Sequence, residues 1–287
     1  MTNCDFATLI ISHGRPQNIP TINSLINAGY SGQYYIIVDD QDKCIEEYKQ
    51  NYPNRVIVFN KQHYLDSAIS FNLEPLINVA VHARNASEDI AAQLGLKYFL
   101  LLDDDIINFQ FKYADNSCLK RVKAFDIDNI ISMYIKYMND ANIATLGLAH
   151  DGYFLGGNIN MFTLPEHSRY RLLANAFLRK VSEKVKWGPD MCEDFITSIL
   201  ENRKSNVWIS LPFLSCSCKV QGMNKKKVDG GNSNVYIEQG NYGVAVYSVL
   251  SLPDCYKLKI SKKLWFECVD YNLTMPKIIS SRYRKVD

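Results

Sequence analysis

Asp103-Asp104-Asp105 closes the apolar run Tyr98-Phe99-Leu100-Leu101-Leu102. Three adjacent carboxylates repel one another unless a cation or hydrogen-bond donors offset their charge. In such a turn alternate side chains can converge on one ion. Mg2+ or Mn2+ suits carboxylate oxygens and keeps positions open for phosphate. A cation held there would serve a phosphate ester, whose departure develops negative charge. The plainer account of the same residues is a solvated acidic turn after a core strand.

Other polar residues fall near the ends of apolar runs. Ser12-His13-Gly14-Arg15 follows Phe6 to Ile11, and Asp39 and Asp40 follow Tyr34 to Val38. Upstream of the acids, Arg84 can pair with phosphate or an acid, and Asn85 can hydrogen-bond a ribose or the backbone. A surface Arg-Asn pair is the alternative. If the runs are strands of one sheet, their tips make a nucleoside pocket, because base and ribose need directed donors and acceptors.

The elements that must position these residues follow from the pattern. Continuous apolar runs at Phe6–Ile11, Tyr34–Val38, Val56–Phe59 and Tyr98–Leu102 read as strands buried on both faces. Pro20 starts a helix with Ile22, Leu25 and Ile26 inward and Gly29 as its stop. A short helix follows around Ile45–Tyr52, and residues 76–94 read as a helix broken near His82–Asn85 and stopped at Gly95. This alternation predicts an α/β fold with a mainly parallel, Rossmann-related sheet flanked by helices, whose ligands sit at the carboxyl ends of the strands. Beyond the acids, Asp126 is expected to cap a helix through Ile127, Ile131 and Met138. Strands are expected at Ile143–Ala149 and Val207–Leu211, a helix from Glu193-Asp194, and a mobile loop over Gly222–Asn234.

Composition sets bounds. With 47% hydrophobic residues the chain can build a large core. No run nears ~18 apolar residues, so no transmembrane span is expected, and Asp5 ahead of the first apolar run argues against a secretory leader. Eight scattered cysteines point to reduced thiols and a cytoplasmic location. Residues 1–105 carry 7 Lys and Arg against 13 Asp and Glu, whereas residues 106–287 carry 25 against 17. The basic half suggests an anionic partner, with cations gathered at Arg169–Lys186, Lys225-Lys226-Lys227 and Lys257–Lys285. The lysine triplet beside Gly230-Gly231 could close over a diphosphate, track a nucleic-acid backbone, or simply be solvated. Trp187, Trp208 and Tyr236 could stack an extruded base, although buried aromatics are mostly core.

The order Thr8 to Pro16, Asp39-Asp40, Ala83-Arg84-Asn85 and Asp103-Asp104-Asp105 resembles the nucleotide-sugar domain of GT-A glycosyltransferases. The finer resemblance is to the TET-associated glycosyltransferase family, found chiefly beside DNA-base oxidation and in phages. It also covers Phe59-Asn60-Lys61, Gly156-Gly157, Ala174-Asn175-Ala176-Phe177, Glu193-Asp194, Gly230-Gly231 and Pro276-Lys277-Ile278-Ile279. Cys192 stands where the family has Asn, and Gly240–Ser248 only loosely follows the family's Gly-Thr-Tyr pattern.

The resemblance implies a single GT-A-like domain over 1–287, with a nucleotide-binding half (1–105) and an acceptor-binding half (106–287). It implies a UDP-sugar donor, UDP-arabinose or UDP-glucose, and hydroxymethylated cytosine in DNA as acceptor, with inversion at the sugar. A phage-encoded member would act in the host cytoplasm. Asp105 would be the main metal ligand, with Asp103 toward the ribose or a metal-bound water. Asp39 or Asp40 would take the base, and Arg84 the ribose–diphosphate side. Ser12, Gly14, Arg15, Lys61, Asn85 and Asp104 would complete the donor site. Asp194, or else Glu193, would be the general base, kept charged by its helix N-terminus. An acidic pair that merely stabilises its own helix is the alternative. Two other activities compete: transfer to a protein, lipid or polysaccharide, and non-catalytic nucleic-acid binding.

Overall fold

Four short runs with uncharged interiors form the first strands, β1 (Phe6–Ile11), β2 (Tyr34–Asp39), β3 (Val56–Phe59) and β4 (Tyr98–Asp103). The computed structural model describes residues 5–66, 69–70, 76–115, 118–150, 173–218, 233–261 and 264–269. Side chains alternate across a strand, and both faces here are covered. Ile10, Ile36, Leu100 and Leu102 join one apolar cluster, whereas Leu9, Ile37, Phe99 and Leu101 join another. The first cluster is closed by α1 (Pro20–Asn27), α2 (Ile45–Asn51) and α5 (Ile127–Asp140). The second is closed by α4 (Ala80–Gln93), which follows the short α3 (Lys61–Leu65). Leu100, Leu101 and Leu102 are at most 1% exposed, and each contributes about 1.5–3 kcal/mol by burial.

The strands join β5 (Ile106–Asp115), β6 (Cys118–Lys123), β7 (Thr145–His150), β8 (Ala176–Lys180) and β9 (Trp208–Cys218) in one sheet of order β3-β2-β1-β4-β8-β7-β9-β5-β6. The first four pair in parallel. β8 then runs antiparallel to both β4 and β7, β7 pairs in parallel with β9, and β5 pairs antiparallel with β9 and β6. The chain winds outward from β1 to β3 and returns across β1 to place β4. The crevice beyond the carboxyl ends of β1 and β4 is therefore the switch point at which open α/β sheets bind ligands. After β9 come α7 (Ser233–Ser251), kinked at Gly240, and the hairpin β10 (Tyr256–Ser261) and β11 (Leu264–Val269). Among the described residues no helix is long and apolar enough to cross a membrane.

Several local expectations change. The α4 helix begins at Ala80 and runs unbroken through His82–Asn85, a stretch with neither Gly nor Pro to interrupt it. Asp126 sits at the start of α5 with a left-handed backbone, and its carboxylate accepts from the Asn129 side chain rather than capping the helix. Gly29, at φ +82°, ends α1, and a Cβ there would meet the Asp126 amide nitrogen at 3.0 Å. Strand β9 extends well past Leu211, and β5, β6 and β8 lie where no strand was expected. Ser233 and Asn234 open α7 rather than ending a loop. The rest of that segment, with Lys225, Lys226, Lys227, Gly230 and Gly231, lies outside the described residues, as do Gly156-Gly157 and Pro276–Ile279.

Candidate functional site

The acid turn is anchored from behind by α1. The Thr21 hydroxyl donates to the Asp103 carbonyl at 2.7 Å and accepts the Ile106 amide at 2.9 Å. Within that turn the three carboxylates part company. Asp104 turns back under the first loop, is 7% exposed, and accepts the Ser12 hydroxyl at 2.7 Å and Arg15 Nη1 at 2.8 Å. The Tyr48 hydroxyl accepts the Arg15 amide and shares a hydrogen bond with Ser12. Ser12, Arg15 and Asp104 thus brace the loop after β1 against the acid turn. Burial raises the Asp104 pKa against the opposing charge of Arg15.

Asp103 faces the other side of the turn, against Arg84. The guanidinium, 1% exposed, donates from Nε to Glu193 Oε1 at 2.8 Å. Its Nη2 donates to Asp103 Oδ2 at 3.5 Å and lies 3.1 Å from Oδ1, and its Cζ lies 5.0 Å from the Phe177 ring centroid. Arg84 Nη1 and Asp103 Oδ1 are buried with no hydrogen-bond partner. Glu193 and Asp194 open α6 (Glu193–Arg203), but only Glu193 faces the guanidinium within bonding distance. Asp194 Oδ1 accepts the Phe195 amide at 2.8 Å, and its other oxygen has no hydrogen-bond partner among the described residues.

The electrostatics follow from this count of charges. One arginine stands among Asp103, Glu193 and Asp194. Burial pushes Asp103 up to about 7, Arg84 only partly opposing it. Burial, then the neighbouring Glu193, pushes Asp194 up to about 8. The expectation that the helix N-terminus keeps Asp194 charged is therefore corrected, because desolvation outweighs the helix dipole here. The Cys218 thiol is raised as well, chiefly by its hydrogen bond with Cys216 and by burial, and it takes a hydrogen bond from the Asn175 amide at 3.0 Å.

The surplus of negative charge makes this turn receptive to a cation. Among the described residues no three His, Cys, Asp or Glu side chains form a metal cage. Mg2+ and Mn2+ do not require one, being commonly held by one or two carboxylates with phosphate and water completing the shell. The orphaned Asp103 Oδ1, with Asp105 two residues on, fits that mode.

At the end of β2 a second network forms. Asp39, 5% exposed, accepts His13 Nδ1 at 2.6 Å, Lys61 Nζ at 3.3 Å and the Gln41 amide at 3.1 Å. Both its oxygens are engaged, so of the two candidate base-reading acids only Asp40 is exposed, with Oδ1 on the Lys61 amide. Gly14 donates its amide to Asp42 at 2.7 Å. Lys61 is buried and also donates to Asn78. Asn85 is turned from the crevice, donating to the carbonyls of Val81 and Trp187 and accepting the Trp187 amide. It positions the segment that carries Trp187.

Thr21 and Tyr48 escaped the sequence reading. His13 and Asp42 stood at the strand ends in it, without a role of their own. Trp187 and Trp208 are each 1% exposed and belong to the core, which removes them as base-stacking platforms. Arg179 and Lys180, counted among the surface cations, are buried too. Tyr236 has a side chain outside the described set.

A family model described as TET-Associated Glycosyltransferase matches residues 6–222. Glucosyl-3-phosphoglycerate synthase from Mycobacterium tuberculosis, solved with UDP, superposes with TM-score 0.50 at 8% identity, over 92% of this chain and 86% of that one. Mannosyltransferase PcManGT from Pyrobaculum calidifontis, solved with GDP-Man and Mn2+, gives 0.46 at 10% identity, over 76% of this chain and 58% of that one. GalNAc-T7, solved with UDP, GalNAc and Mn2+, gives 0.47 at 14% identity, over 87% and 52%. The chain thus spans little more than half the length of the last two. No curated protein matches it. At 8% identity the likeness to the synthase bears on the fold alone, which is that of GT-A glycosyltransferases.

Proposed function

The chain belongs to the TET-associated glycosyltransferase family, and from that premise we propose that it transfers a sugar from a UDP-sugar to hydroxymethylated cytosine in DNA, with inversion. The observation that carries the transferase reading is the unbalanced cluster at the sheet's switch point, where half-buried Asp103 and Asp194 flank the buried Arg84–Glu193 pair. The family description supports DNA as acceptor, and the excess of basic residues after Asp105 suits a polyanion.

Asp103 and Asp105 would hold a divalent cation, which supplies charge neutralisation for the departing diphosphate. Arg84, locked by Glu193, holds Asp103 in place. Asp194 is the base: once ionised, which its raised pKa of about 8 places at neutral to mildly alkaline pH, its unengaged oxygen takes the proton from the acceptor hydroxyl as that oxygen bonds to the sugar C1 and the bond from C1 to the diphosphate breaks. Glu193, 1% exposed and bonded to Arg84 through Oε1, is less suited to that role. Asp40 meets the base of the donor. The lysines at 225–227 and Gly230-Gly231 would close over the diphosphate or follow the DNA backbone.

The test is incubation with hydroxymethylated and unmodified DNA, a panel of UDP-sugars and Mn2+, followed by nucleoside mass analysis. We expect a mass gain of one sugar on hydroxymethylcytosine alone. Release of UDP without any gain on DNA would remove DNA as the acceptor.

A further inference from the structure

His13 carries a donor that is unused among the described residues. Its Nδ1 lies 2.6 Å from Asp39 Oδ2 and 3.7 Å from Asp42 Oδ2. Carboxylates accept, so Nδ1 bears a hydrogen. The groups facing the ring are Asp39 from β2, Asp42 from the turn after it, and Lys61 from α3. Two buried carboxylates against one buried ammonium leave one negative charge, and an imidazolium balances it. The His13 pKa is raised accordingly, the Asp39 hydrogen bond leading and burial opposing it. An imidazolium has a second N–H, at Nε2. The His13 side chain is 30% exposed, and no described group accepts from Nε2. Asp40, exposed at the same strand end, offers an acceptor oxygen.

We propose that His13 Nε2–H and the Asp40 carboxylate read the edge of the donor's nucleobase, selecting bases with a ring N–H beside a carbonyl oxygen. Uracil and guanine have that edge. Cytosine and adenine instead present an amino group and an unprotonated ring nitrogen, which sets donor against donor and lone pair against carboxylate. This inference rests on the reading of the crevice as a nucleotide-sugar site. Deprotonation turns Nε2 into an acceptor, because Nδ1 keeps its hydrogen toward Asp39. Discrimination should therefore fade as pH rises through the imidazolium's range.

The experiment is calorimetric titration of wild type and His13→Ala with UDP, GDP, CDP and ADP in Mg2+, at about pH 6 and about pH 8.5. Wild type is expected to favour UDP or GDP over CDP and ADP by about tenfold or more at the lower pH, with the ratio narrowing at the higher pH. His13→Ala should lose most of that ratio through weaker binding of the keto bases and show no pH trend in what remains. Undiminished selectivity in His13→Ala, or a wild-type ratio flat with pH, would overturn the assignment of His13 alone. Wild type that binds none of the four would overturn the nucleotide-site reading together with it. The wild-type pH series needs no variant to fold.

Discussion

Two arginines are buried in this sheet, and they differ in what surrounds them. Arg179, fully buried, gives Nε and Nη2 to both oxygens of Glu88 at 2.9 and 3.1 Å. It also bonds Thr145 and the Glu183 carbonyl, and its guanidinium lies 4.9 Å from the Trp208 ring centroid. One acid meets one base, and every nitrogen of the fork is used. Arg84 is as deeply buried and also lies against aromatics, yet it faces three carboxylates and leaves Nη1 unpaired. Burial of a charge therefore does not mark function; imbalance does. The closed pair on β8 holds the sheet to α4. The cluster at the end of β4 sets three carboxylates, Asp103, Glu193 and Asp194, against one guanidinium.

Substitutions should separate the two. In the open cluster, Asp194→Asn should lower transfer by about 10²–10⁴-fold with nucleotide affinity retained, as read by steady-state kinetics and titration. A loss of only a few-fold would move the base elsewhere. In the closed pair, Arg179→Met leaves Glu88 buried without its counter-charge and should cost about 3–5 kcal/mol of stability in urea unfolding. Turnover per folded molecule should stay near wild type, and a parallel collapse of turnover would show that the two clusters are coupled.

A pH series sharpens the contrast. In metal-free buffer Asp103 keeps its proton up to about pH 7, whereas an unfolded Asp loses it near 3.9. Between those values the folded state binds the extra proton, so this group's contribution to stability falls as pH rises through that window. Asp103→Asn should flatten that part of the melting-temperature profile and melt above wild type at pH 8. The smallest effect expected is at Cys192, whose φ of 55° lies in the left-handed region that Asn tolerates better. Cys192→Asn should gain about 1 kcal/mol in urea unfolding, and any loss would show that its contact with Ser248 matters more.

The same position shows how sequence and structure divide the account. That a cysteine stands at 192 is visible in the chain, and the resemblance to the family would put an Asn there; that the position takes a left-handed backbone is visible only in the structure. The strands and the switch point were legible because β1 to β4 are buried on both faces, so their sequences are unbroken apolar runs. The β5–β6 hairpin was not, since its exposed Lys120, Arg121 and Lys123 look like loop residues. Asp103 to Asp105 could be read as one acidic cluster. Only packing decided that Asp104 braces the loop after β1, that Asp103 shares Arg84 with Glu193, and that Asp194 stays open. The chain by itself determined which residue types reach the crevice, because period and strand ends are local properties. Which carboxylate is satisfied and which is left with an open oxygen depends on groups as far apart as Arg84 and Glu193, and distance in space is settled only by the folded sheet.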